Sequence, residues 1–205
     1  MDNKAYLDEI AVKGKKKFSA GPILTPLMLK LIIVGSIAVI VMIIVGSILG
    51  NKSTDIAVVH ESVYARITGL LSDDGPIKTY YEKVRSSDVR EYASSLISSL
   101  STAASRINAV SSSIGLNTEG LSSEAMAEND AAMSEFANEL ETAYLNGTLD
   151  VTYASSTSYQ LSMLISLEEQ ARIKTSNAEY AEALDNSIRD LTTLQKQFKK
   201  YGDTH

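Results

Sequence analysis

The sequence predicts an all-α protein: one N-terminal transmembrane helix followed by an antiparallel helical bundle of four to five helices. Three observations carry this expectation. Leu31–Leu49 runs for 19 residues without a charge. Downstream, apolar residues recur three and four apart, which is the period of a helix face. Turn-forming residues at Asp73-Asp74-Gly75-Pro76, Gly115–Gly120 and Asn146-Gly147 divide the remainder into helix-length pieces.

The apolar stretch comes first. A bilayer core about 30 Å thick needs roughly 20 apolar residues in helix, and Leu31–Gly50 has that length. An amphipathic surface helix would be interrupted by a polar face. A signal peptide would have a shorter apolar core and small residues before the cut, where this chain has Ile48-Leu49-Gly50. Thr25 and Pro26 suit the cap and first position of such a helix. Lys13, Lys15, Lys16, Lys17 and Lys30 precede or open the stretch, whereas only Lys52 and Arg66 follow closely. Positive flanks stay inside, so the N-terminus is expected in the cytoplasm and those five lysines at lipid headgroups. The expected organisation is a basic cytoplasmic tail (1–25), a membrane helix (26–50) and an extracytoplasmic domain (51–205). Gly46 and Gly50 lie four apart on one face, and Gly35, Val39 and Met42 extend the small stripe. Such a face lets two membrane helices approach, so Gly35, Gly46 and Gly50 are candidate helix-packing residues.

Charge and cysteine content narrow the function. After Gly50 stand 13 Lys/Arg against 22 Asp/Glu, a net of −9. A nucleic-acid partner needs a basic face, so none is expected. The chain has no cysteine, which removes disulfides, thiol catalysis and cysteine metal sites together.

The domain reads as follows. Ser53 is a candidate N-cap, and Ile56, Val59, Val63, Ile67 and Leu70 form one helix face. The segment from Pro76 to Ile114 carries a seam of alternating fours and threes: Ala93, Leu96, Leu100, Ala103, Ile107, Val110 and Ile114. Ile77, Tyr81 and Val84 are out of phase with it, and Asp88 and Glu91 have capping-box spacing, which marks a kink or a new start. Gly115 closes the segment, with Leu116 placed for the apolar contact of a C-cap. In the next helix Met126, Met133 and Leu140 repeat every seven, with Phe136 and Ala143 beside them. A fourth helix covers Leu149–Lys174 with Leu161, Leu164 and Ala171 inward, although Thr148–Tyr153 also reads as a strand. Ser176 and Glu179 have capping-box spacing before a last helix carrying Tyr180, Leu184, Ile188, Leu191, Leu194 and Phe198. Lys196, Lys199 and Lys200 are expected in its last turns.

Chemistry-bearing motifs are incomplete. Gly46–Ser53 has Asn51 where a phosphate loop needs its second glycine. His60-Glu61 opens like a zinc-protease helix, but Tyr64 stands at the second ligand position, and His205 is the one other histidine. His60 has no evident partner, and it reads as an ordinary buried or surface histidine. Glu168-Glu169 and Glu139/Glu141 do not share a helix face and read as solvated charge. Asp73-Asp74-Gly75 lacks the later ligands of a calcium loop. Asn51-Lys52-Ser53 and Asn146-Gly147-Thr148 match the glycosylation acceptor pattern. Tyr80, Tyr81, Tyr144, Tyr153, Tyr159 and Tyr180 read as core and rim, with a pocket as the sharper alternative. No metal, cofactor or catalytic residue is expected.

In outline this arrangement resembles single-anchor helical-bundle proteins of bacterial envelopes. Type IV pilins share the basic leader and apolar helix, but no glutamate lies within Pro22–Leu49 here. Exported chemoreceptor sensor bundles return through a second span, and no later apolar run in this sequence is long enough. The resemblance implies a non-enzymatic interaction or structural module, with the bilayer and a protein or a second copy as partners. The alternatives are a small-ligand-binding, sensor-like bundle and a pilin-like assembly subunit.

Overall fold

A computed structural model describes residues 56–116 and 121–205. The expectations for the tail, the apolar helix, Gly35, Gly46, Gly50, the five lysines, the Ser53 cap, the first glycosylation pattern and the centre of the 115–120 loop lie outside these residues. All regular structure among the described residues is helical: α1 (Ile56–Leu71), α2 (Pro76–Tyr81), α3 (Ser87–Ser113), α4 (Ser123–Asn146), α5 (Leu149–Lys174) and α6 (Ala178–Thr204). Among them no helix is long and apolar enough to cross a membrane.

Local chemistry sets the helix ends. Pro76 occupies the first turn of α2, where its missing N–H is not needed. The break foreseen within 76–114 is real, but α3 is capped two residues earlier than the Asp88–Glu91 spacing predicts. Ser86 Oγ accepts from the Val89 N–H at 3.4 Å. Asp150 explains why the chain breaks there. Its carboxylate receives the Arg85 N–H at 2.8 Å and the Ser86 N–H at 3.0 Å, tying the α2–α3 link to the start of α5. Gly147 ends α4 at φ 73° and Gly115 follows α3 at φ 75°, the left-handed geometry in which glycine carries no Cβ penalty. The α6 cap is Asn177, not Ser176. Its Oδ1 accepts from the Tyr180 N–H at 2.8 Å. Because α6 continues to Thr204, Lys196, Lys199 and Lys200 lie before its last turn, and Lys199 pairs instead with Asp203 at 2.8 Å.

The seams face the core with a drift. Val59, Val63, Ile67 and Leu70 of α1 are buried, as are Ala93, Leu96, Leu100, Ala103 and Ile107 of α3. Val110 and Ile114 are only half-buried, and Ser111 takes the inward position. A straight helix rotates about 20° per heptad away from a seven-residue repeat, so a strict seam leaves the core by its third heptad. Ser111 is tolerated inside because its hydroxyl donates to the Ile107 carbonyl at 2.6 Å. Drift also corrects α4. Phe136, Leu140 and Ala143 are buried and Met133 half-buried, but Met126 is 50% exposed, and Ala125 faces inward in its place.

Helix α5 overturns the strand reading of Thr148–Tyr153. It is helical from Leu149, and its buried residues point in nearly every direction: Leu149, Tyr153, Ala154, Thr157, Leu161, Leu164, Glu168 and Ala171 among them. It packs against α6, α1 and α4. Tyr153 reaches across to donate to the Ile77 carbonyl at 3.0 Å. Tertiary contact on all sides outweighs the modest preference of Thr, Val and Tyr for strands. Contacts from Arg172–Asp185 through Glu168–Ser187 to Ser158–Gln195 show α5 and α6 running antiparallel. Tyr92 of α3 meets Phe198 of α6 edge to face at 5.7 Å. Residues 54–205 form one compact unit.

The phase of α4 is testable by truncation. Leu140→Ala should cost about 2–5 kcal/mol in urea unfolding, while Met126→Ala should cost roughly 0.5 kcal/mol or less. Equal costs would restore the strict seven-residue phase.

Candidate functional site

The buried charged side chains cluster where α1, α5 and α6 meet. There His60, on the same helix as Val59 and Val63, points inward and is 0% exposed. Its Nδ1 shares a hydrogen bond with Tyr180 Oη at 2.7 Å, and the rings meet edge on at 5.6 Å. The Tyr64 ring lies 6.3 Å from it, roughly parallel. Nε2 of His60 is enclosed and has no partner. On α5, Glu168 is also 0% exposed. Ser187 Oγ of α6 donates to its Oε1 at 2.6 Å, while Oε2 is enclosed without a partner. The solvated charge expected at Glu168 is therefore corrected. α5 is covered on the face that the sequence leaves polar, and the carboxyl lies between two helices. Further along the same interface, Arg66 donates to Gln160 Oε1 at 3.2 Å, with both residues buried.

Burial dominates the protonation of this group. The Glu168 carboxyl is pushed up to about 8 by desolvation, opposed by the Ser187 hydrogen bond. Desolvation lowers His60, and the charge of Glu61 opposes that shift. Tyr180 is pushed up by burial and then by the nearby Glu168 carboxylate, so its hydroxyl keeps its proton. At neutral pH the uncharged forms of both Glu168 and His60 are favoured.

A second feature is an open cleft of about 630 Å³ between α1 and α4. Its lining includes Ala65, Thr68 and Gly69 on one side and Met126, Asn129 and Met133 on the other, with Asp74 and Asp130 at hand. Asn129 lies directly against Gly69. Its Oδ1 is enclosed and unpartnered. A smaller recess of about 300 Å³ lies beside Lys83, Arg85, Tyr144 and Tyr201.

The six candidate tyrosines do not converge on one pocket. Tyr80, Tyr153 and Tyr180 are buried in separate places, Tyr81 and Tyr159 are half-buried, and Tyr144 is exposed. Tyr80 donates to Glu141 Oε2 at 2.6 Å, so Glu141 is a partner and not merely solvated. Among the described residues no group of three or more His, Asp or Glu side chains is arranged to hold a metal ion. The seam residues Ala93 to Ile114 lie along the core, in or against the same apolar cluster as Tyr180, and none of them lines the cleft. Sequence reasoning missed the His60–Tyr180 and Glu168–Ser187 pairs. Both partners of each sit at inward helix positions, but the pairing is set by how the helices cross. No protein-family model matches the chain, and neither a curated protein nor a solved structure matches it.

The buried carboxyl makes stability depend on pH. A carboxyl at 4.5 in the unfolded chain and about 8 when folded binds its proton more tightly in the folded state across that window. Stability therefore falls as pH rises from 4.5 to 8, by roughly 3–5 kcal/mol in all. His60 acts oppositely, since its lowered value removes stability as pH falls below 6.5. Urea midpoints measured from pH 5 to 9 should decline on the alkaline side. In Glu168→Gln that decline should be largely gone.

Proposed function

We propose that this chain is a single-pass membrane protein, N-terminus cytoplasmic, whose exported antiparallel helical bundle serves as a non-enzymatic interaction or structural module of the cell envelope. The observation that carries the reading is the uncharged run Leu31–Leu49, with Lys13, Lys15, Lys16, Lys17 and Lys30 on one side of it. Two further features support it. Residues 54–205 have a core of their own, as a tethered module requires. The sequence after Gly50 is acidic, with 22 Asp/Glu against 13 Lys/Arg, a balance that disfavours adsorption of the domain to anionic lipid. The lipid bilayer and a protein, either a second copy or another envelope component, are the partners this reading assigns. Gly35, Gly46 and Gly50 are the contacts it assigns within the membrane.

A second reading has one specific observation in its favour. The α1–α4 cleft, about 630 Å³, is within the range of small-molecule sites, and its lining mixes apolar Ala65, Met126 and Met133 with polar Thr68, Asn129 and Asp130. A sensor-like bundle would use that cleft.

Because the chain has no cysteine, single cysteines report topology without background. In intact cells Ile173→Cys, at a position 84% exposed, should react with a membrane-impermeant maleimide. Ala5→Cys should react only after lysis. Labelling of Ala5→Cys in intact cells with Ile173→Cys protected would reverse the topology, and loss of neither protein on deleting 31–49 from the membrane fraction would remove the anchor.

A further inference from the structure

The cleft between α1 and α4 favours one sign of charge. Asp74 and Asp130 line it, and among the described residues no lysine, arginine or histidine does. Neither aspartate has an ion pair among the described residues, in contrast to Asp73, whose carboxylate holds Lys78 at 2.7 Å. Arg66 is engaged elsewhere: it lines a separate recess with Glu128 and donates to Gln160 at 3.2 Å. Thr68 adds an acceptor to the cleft. Its hydroxyl donates to the Tyr64 carbonyl at 2.9 Å and the Ala65 carbonyl at 3.0 Å, so its lone pairs are what remain for a ligand.

An apolar flank stands beside one of these carboxylates. Met126, Asp130 and Met133 are four and three apart on α4 and share a face of it. Met126 is 50% exposed there and Met133 half-buried. Thioether side chains are flexible and polarizable, so they mould to an aliphatic body. Asp74 comes instead from the link between α1 and α2, so the two carboxylates are carried by different elements. An anionic ligand would meet two like charges here, within a sequence that after Gly50 carries 22 Asp/Glu against 13 Lys/Arg. A ligand with a single cation would answer one aspartate and leave the other.

We propose, resting on the small-ligand reading of this cleft, that it takes an aliphatic diamine, with Asp74 and Asp130 each holding an ammonium group and Met126 and Met133 lying along the methylene stem. The ammonium groups donate to the carboxylates in charge-assisted hydrogen bonds, with Thr68 Oγ1 as a further acceptor. The stem removes thioether surface from water, which adds to the attraction of the charges. Both aspartates are exposed, so each ion pair contributes only a few-fold to affinity. The acidic surroundings raise the local concentration of a cation.

The test uses the full chain in mild detergent, labelled with carbon-13 at the methionine methyl groups, and three probes of equal length: 1,6-diaminohexane, 1,6-hexanediol and adipate. Met126→Leu and Met133→Leu assign the two resonances of the cleft. The diamine should shift both saturably and leave Met163 of α5 unmoved, whereas the diol and adipate should shift neither. Asp74→Asn and Asp130→Asn, at exposed positions that the fold tolerates, should each weaken diamine binding about fivefold, and the double variant about twentyfold. Glu91→Gln removes the same charge from an exposed position on α3 and should change binding less than about twofold. Weakening by Glu91→Gln equal to that of the aspartate variants overturns the proposal, since attraction to an acidic domain then suffices. Saturable shifts with the diol or adipate as large as those with the diamine overturn the ligand class and leave the cleft as a small-molecule site. No shift with any of the three overturns both.

Discussion

The enclosure of α5 is the constraint on which the rest of the domain depends. A helix covered by α6, α1 and α4 has little face left for water, so polar groups on it need partners within the protein. Most have them. Tyr153 reaches the Ile77 carbonyl, Gln160 takes Arg66, Ser158 joins Gln195 and Glu168 takes Ser187. These bonds reach α2, α1 and, twice, α6, so three neighbours are fixed in register around α5. Asp150 does the same at the N-terminal end by holding Arg85 and Ser86.

Where this satisfaction is incomplete, the domain acquires chemistry. Thr157 Oγ1, Glu168 Oε2 and His60 Nε2 are enclosed without partners. An orphaned hydroxyl carries a fixed cost, whereas an orphaned carboxyl or imidazole can change its charge to lower that cost. The last two therefore make the packing of the core responsive to pH. The apolar stripe of α1 supplies contact area that is the same at every pH, and His60 supplies the part that is not.

Much of this fold was legible in the sequence, and the exceptions have physical causes. The stripe Val59, Val63, Ile67 and Leu70 was readable because the large apolar residues of α1 recur three and four apart, whereas its other inward positions carry His60, Ala65 and Arg66. Gly147 was readable because a left-handed residue after a helix selects for glycine. α5 was ambiguous for the opposite reason: a helix buried on many sides shows no stripe, and its Thr, Tyr and Ser then argue by propensity alone. Met126 and Val110 fell out of phase because a seven-residue repeat does not match a straight helix. His60 and Glu168 could not be paired with Tyr180 and Ser187 from spacing, since the sequence separation of 120 residues in the first pair leaves the contact to tertiary geometry.

The position of α1 joins these two themes. One face of α1 carries His60 and Arg66 against α5 and α6. Another supplies Ala65, Thr68 and Gly69 to the cleft against α4. α1 is thus the helix on which the two features of the domain meet. Its inward side decides how His60 and Arg66 are satisfied, and its other side shapes the cleft. A substitution that shifts α1 changes both at once, because close-packed interiors transmit strain rather than absorb it.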